Sequence, residues 1–115
     1  MTLEDIQMEA EKAVRLQLGF TWGYEVFAVA NPRPLDPQIL VKNHDGSYPH
    51  IYVCGFIPPE RPSTVAWEAA RKAFASEEDF KPYFLEVELT PQGHGNRVII
   101  HGLDVLRTHL HEAKP

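Results

Sequence analysis

The sequence predicts a single α+β domain, with a mainly antiparallel five-stranded sheet and three helices in the order α-β-β-β-α-β-β-α. Some stretches alternate apolar and polar residues, the period of a strand, and others repeat apolar residues every three or four positions, the period of a helix. An Asp-Gly pair between two apolar runs indicates a β-hairpin. A chain of 115 residues has the usual size of one domain, which we place at residues 1–115.

The chain begins with a predicted helix and a predicted strand. Thr2 is a suitable N-cap, and apolar residues recur with helical spacing over residues 3–18. Acidic residues lie near the start of this segment and basic residues near its end, the order that the helix dipole favours. Gly19 is expected to end the helix. Residues 20–30 then alternate as an aromatic strand.

A proline-rich loop over residues 31–37 leads into the central hairpin. Centring the turn on the Asp45-Gly46 pair predicts that Leu40 lies opposite Ile51. This register assigns one side of the hairpin to Leu40, Ile51, Val53, Gly55 and Ile57, and the other side to Ile39, Val41, His50, Tyr52, Cys54 and Phe56. Because both sides are largely apolar, we expect the second strand of the hairpin to lie inside the sheet.

The second half of the chain predicts two helices and two strands. Ser63 is expected to cap an alanine-rich helix over residues 64–76. Residues 83–90 form the clearest amphipathic strand, and residues 97–101 are its predicted partner. Leucines spaced three and four apart predict a short helix over residues 103–110.

Composition restricts the partners and the location of the protein. The formal net charge of −5 argues against nucleic acid and against an anionic membrane as partners, because both repel an acidic surface. No apolar run approaches the roughly 20 residues that span a bilayer. The single cysteine, Cys54, cannot form an intramolecular disulfide and suits a reducing compartment. We therefore expect a cytoplasmic protein.

The main candidate for a binding site is one face of the predicted sheet. Along each strand, aromatic and polar residues point to this face, and the aliphatic residues between them point to the other face. This face would contain Trp22, Tyr24, His50, Tyr52, Phe56, Glu86, Glu88 and His101. Such a face is typical of a subunit interface, of a ligand pocket or simply of a core. The sequence does not decide between these three.

Two functions follow from this face. The first is a non-enzymatic binding or interaction module that forms a homodimer through the aromatic sheet face, or that binds another protein. The alternative is a small-molecule pocket, with acid–base catalysis by Glu86 or Glu88 together with His50 or His101. We favour the first because the chain contains no complete catalytic motif.

The sequence indicates no cofactor and no metal ion. Six histidines invite a metal site, but His109 and His111 lie two positions apart on a predicted helix and so point to different sides. Cys54 lies in the middle of an apolar strand, whereas a nucleophilic thiol needs access to its substrate. The glycines around His94 lack the remaining residues of a phosphate-binding loop.

Overall fold

The computed structural model describes residues 2–29, 39–60 and 83–112. Its helices and strands are α1 (Leu3–Arg15), β1 (Val26–Ala28), β2 (Ile39–Val41), β3 (His50–Phe56), β4 (Tyr83–Gln92), β5 (Gly95–His101) and α2 (Leu103–Glu112). The α+β class and the five-stranded sheet are confirmed. The helix predicted over residues 64–76 lies outside the described residues, which contain two α-helices rather than three.

The sheet is mixed, which corrects the expectation of a mainly antiparallel one. Its strands follow the order β1-β2-β3-β4-β5, and the pairing of β3 with β4 is parallel while the other pairings are antiparallel. Parallel neighbours require a long crossover connection, and the segment between Phe56 and Tyr83 is long enough to provide one. Side chains alternate between the two faces in parallel and in antiparallel strands alike. The residue pattern of β3 and β4 therefore does not indicate the relative direction of the two strands.

The predicted strand over residues 20–30 is largely wrong. Helix α1 continues through a π-helical turn, Leu16–Thr21, and β1 contains only Val26–Ala28. Gly23, with φ of 78°, is the left-handed residue that ends this turn, a role that we had assigned to Gly19. The alternating aromatic residues match the period of a strand, but Phe20 lies in the π-helical turn, Trp22 caps it, and Tyr24 lies between this turn and β1.

The central hairpin is present, but its register differs from the prediction by one residue. Asn43 N–H donates to the carbonyl oxygen of Ser47 over 2.8 Å, and Gly46 N–H donates to that of Asn43 over 3.1 Å. Gly46 has φ of 86°. These bonds close a three-residue loop, in which the last residue is left-handed, instead of a loop centred on the Asp-Gly bond. As a result Ile39 pairs with Ile51.

This shift of one residue exchanges the two faces of β2. Ile39 and Val41, which we had assigned to the aromatic side, lie with Ile51 and Val53 in the core, and Leu40 lies opposite His50 on the other side. The buried core comprises Ala10, Val14, Leu18, Ile39, Val41, Ile51, Val53, Leu85, Val87, Leu89, Leu106 and Leu110. Both described helices pack on this face of the sheet.

Helix α1 lies very close to β3 because Gly55 has no side chain. A Cβ at Gly55 would lie 2.8 Å from both the Cβ of Ala10 and the carbonyl oxygen of Ile6. The Gln7 side chain also bonds to the backbone of β3, since its Nε2 donates to the Val53 carbonyl over 2.6 Å and its Oε1 accepts from Gly55 N–H over 3.3 Å. Gln7 therefore supplies hydrogen bonds beyond the point at which the short β2 ends.

Candidate binding site

The second face of the sheet contains most of the candidate site residues. Across the parallel pair, Tyr52 lies opposite Phe84 and Phe56 lies opposite Glu88. His101 on β5 lies opposite Glu86 on β4. By the alternation of side chains along each strand, this aromatic sheet face carries His50, Tyr52, Cys54, Phe56, Phe84, Glu86, Glu88 and His101.

Trp22 and Tyr24 are separated from this face. Both precede β1 and pack against the helix-covered core. The guanidinium of Arg107 lies 5.5 Å from the centre of the Trp22 ring, and the Tyr24 ring lies 5.1 Å from that of His44. The two sequence-predicted residues therefore stabilise the opposite side of the sheet, because their segment leaves a π-helical turn instead of lying in a long strand.

The centre of the aromatic sheet face is buried. Tyr52 and Phe56 are 4% and 6% exposed. The rings of Tyr52 and Phe84 stack with centroids 5.4 Å apart and an angle of 15° between their planes. Phe56 and His101 stack with centroids 6.3 Å apart. The centre is thus a packed aromatic layer, and the exposure of side chains to solvent increases towards the edge strand β5.

This accessible edge is where the carboxylates and the imidazole come together. The side chain of His101 is 51% exposed and that of Glu88 is 22% exposed, and His101 Nε2 lies 3.8 Å from Glu88 Oε1. An open cavity of about 320 Å³ is lined by Phe84, Glu86, His101 and Gly102. We call the group formed by Phe84, Glu86, Glu88, His101 and Gly102 the open edge site.

Sequence reasoning missed two residues of the open edge site. Phe84 could have been found, because it lies two positions before Glu86 on an alternating strand and so shares its face. Gly102 directly follows β5, and no pattern in the sequence assigns it to a binding site. It has φ of 96°, and a Cβ there would lie 3.1 Å from the carbonyl oxygen of Phe84, so a side chain would disturb one wall of the cavity.

Electrostatics at the aromatic sheet face keep Cys54 protonated. Its thiol is half-buried, and burial raises its pKa, with a further contribution from the negative charge of Glu86. A nucleophilic cysteine needs the opposite shift, because the thiolate is the reactive species. This environment argues against the thiol as a nucleophile.

Metal binding receives no support from the part of the chain that the structure describes. No group of three or more His, Cys, Asp or Glu side chains in that part is arranged to hold a metal ion. His109, one of the histidines considered from the sequence, lies with its ring 5.3 Å from that of Tyr83.

Within the described residues, neither helix has the length and apolar character needed to cross a membrane.

Comparison with models of known protein families, with curated proteins and with solved structures found no match to this chain. A functional interpretation therefore depends on the geometry of the residues themselves.

Proposed function

We propose that the protein is a non-enzymatic binding module and that the open edge site binds a positively charged group, an ammonium or a guanidinium, of a small molecule or a protein partner. The observation that supports this most directly is that Phe84 and Glu86 line an open cavity, with Glu88 two positions further along the same face of β4. Carboxylates provide charge, and an aromatic ring provides a surface on which a cation is attracted by the π electrons.

The partial burial of the site favours such a ligand. Glu88 is 22% exposed, so its charge is less screened by water than that of a fully exposed carboxylate. The net charge of −5 further attracts cations and speeds their encounter with the surface. Anionic partners such as nucleic acids and acidic membranes are disfavoured by the same charge.

Acid–base catalysis by the same residues is the less favoured alternative. It rests on the contact between His101 and Glu88, whose nitrogen and oxygen are 3.8 Å apart. A hydrogen bond between these atoms needs about 2.7–3.2 Å, so Glu88 does not hold the imidazole of His101 in a fixed orientation here. His50, the other candidate base, belongs to β3 at the end nearest the hairpin, and the cavity is lined by β4, β5 and the residue after β5. The arrangement suits charge recognition better than proton transfer.

Homodimer formation and a cytoplasmic location remain predictions. The sequence favoured a dimer through the aromatic sheet face, but Tyr52 and Phe56 expose too little surface to contribute much to such a contact. We therefore assign the open edge site to a ligand, and we expect any dimer contact to use a different surface of the protein.

Isothermal titration calorimetry with a short arginine-containing peptide tests the proposal, with the same peptide carrying citrulline in place of arginine as the uncharged ligand. We expect saturable binding of the arginine peptide and at least about tenfold weaker binding of the citrulline peptide, because a charge-assisted hydrogen bond contributes about 1.5–3 kcal/mol. Glu86→Gln and Glu88→Gln should each weaken binding by a similar factor. Binding by the wild type that neither variant weakens would refute the site, and a wild type that binds neither arginine nor lysine peptides would refute the ligand class.

The matched control is Glu25→Gln. Glu25 is an exposed carboxylate directly before β1, at the opposite edge of the sheet from the open edge site, and its replacement changes the net charge by the same amount as the two test variants. If Glu25→Gln weakens binding as much as Glu86→Gln, the attraction comes from the total charge of the protein and the open edge site is not responsible.

A further inference from the structure

The outer surface of α1 and of the start of the π-helical turn exposes apolar side chains. Met8 is 68% exposed and Leu16 is 53% exposed. With Glu11, Lys12 and Arg15, these two residues line an open cavity of about 310 Å³. An exposed methionine and leucine on one helix side are typical of a contact surface.

The basic side chains on this surface lack partners within the described residues, whereas Glu11 accepts a hydrogen bond from Gln7 Nε2. Lys12 and Arg15 are exposed, and in residues 2–29, 39–60 and 83–112 neither forms an ion pair or a hydrogen bond through its side chain. Glu4 and Glu9 are likewise exposed. The helix dipole explains why acidic residues precede basic ones. It does not explain the exposed Met8 between them.

The order of charges makes this surface complementary to itself. If a second copy of α1 is laid antiparallel on the first, the acidic start of each helix meets the basic end of the other. A two-fold axis on the outer side of α1, at the level of residue 10 along the helix, brings Glu4 of each copy to the level of the partner's Arg15, since positions 4 and 15 are nearly equidistant from that level. Met8 and the aliphatic stem of the partner's Lys12 then face each other at the centre.

We propose that the protein forms a homodimer through this antiparallel pairing of α1 with α1. The contact lies on the opposite side of the molecule from the aromatic sheet face, because α1 packs on the other face of the sheet. It is therefore independent of the proposed ligand site, and either proposal can fail without the other.

Light scattering on the full chain across a dilution series tests the pairing. The wild type should have twice the mass of one chain at high concentration and should dissociate on dilution, more readily in high salt, because the charges are exposed and are screened. Glu4→Arg and Arg15→Glu should each weaken the dimer, since each variant places like charges opposite one another.

Mixing the two variants provides the decisive result. In a mixed dimer of Glu4→Arg with Arg15→Glu, both cross-subunit pairs are again of opposite charge, so the dimer should return to at least the strength of the wild type. A wild type that is monomeric at all concentrations overturns the proposal. So does a dimer that neither single variant weakens, or one that the mixture does not restore.

A second pair of variants tests the apolar centre. Met8→Glu should dissociate the dimer, because it places a carboxylate from each copy near the two-fold axis. Val105→Glu is the matched control, since Val105 is 67% exposed on α2 and lies outside the proposed contact. Circular dichroism should show both variants folded, as neither residue is in the core. Equal loss of dimer in both variants would contradict a contact through α1.

Discussion

Replacement of Gly55 by alanine tests how closely α1 packs against the sheet. A Cβ at this position would lie 2.8 Å from Ala10 Cβ and 2.8 Å from the carbonyl oxygen of Ile6. Nonbonded carbon atoms are normally separated by about 3.5–4.0 Å. Neither contacting group is the end of a flexible side chain, so the whole helix must move away from β3 by roughly 1 Å to restore that separation.

The magnitude follows from what this movement disturbs. Overfilling a well-packed core costs about 1–3 kcal/mol. Displacement of α1 also weakens the hydrogen bonds of Gln7 with the Val53 carbonyl and with the N–H of residue 55, and each such bond contributes about 1 kcal/mol. We expect Gly55→Ala to lower the free energy of unfolding by about 3 kcal/mol, a large part of the 5–15 kcal/mol typical of a domain.

Urea unfolding followed by circular dichroism measures this loss. Gly95→Ala is the control, because a Cβ at Gly95 would meet no atom within 4 Å, and it should change the stability by less than about 0.5 kcal/mol. Adding Ala10→Gly to Gly55→Ala removes one of the two close contacts and should recover part of the loss, less about 1 kcal/mol for glycine within a helix. If Gly55→Ala unfolds at the same urea concentration as the wild type, the described contact between α1 and β3 is wrong.

Three further predictions concern the hairpin, the thiol and the helix cap. Gly46→Ala should lower the free energy of unfolding by about 1–2 kcal/mol in the same urea assay, because φ of 86° is unfavourable for a residue with a Cβ. An unchanged free energy of unfolding would contradict the three-residue loop. Cys54 should react with iodoacetamide more slowly in the folded than in the unfolded protein, because its pKa is raised in the folded state. Glu86→Gln removes a nearby negative charge and should speed the reaction of the folded protein. Equal rates for the folded and unfolded protein would refute this prediction. The Thr2 N–H donates a hydrogen bond to the Asp5 carboxylate and holds the Asp5 pKa below its ordinary value. The stabilisation by this carboxylate is therefore complete above the ordinary pKa and is lost as the pH falls through the lowered pKa. The stability difference between wild type and Asp5→Asn should therefore disappear in acid, and a difference that persists would exclude this cause.

The residue pattern predicts the site only in part. On β3, β4 and β5, alternation alone was enough to group His50, Tyr52, Phe56, Glu86, Glu88 and His101, and these residues do share a face. Trp22 and Tyr24 were grouped with them because an aromatic residue at every second position is typical of a strand. Instead, residues 16–21 form a π-helical turn that buries Leu18 in the core, and this long-range packing overrides the local preference for a strand.

Local sequence determined that β3, β4 and β5 are strands, where α1 begins and which residues of β4 enter the core, because these depend on the spacing of neighbouring residues and on side chains within one turn. The tertiary structure alone decided that β3 and β4 are parallel, that the hairpin register differs by one residue, and that the open edge site lies where β4 and β5 meet. Strand neighbours and loop conformation are selected by the total packing of segments far apart in the chain. Periodicity within one segment is the same for every such arrangement, so it cannot distinguish among them.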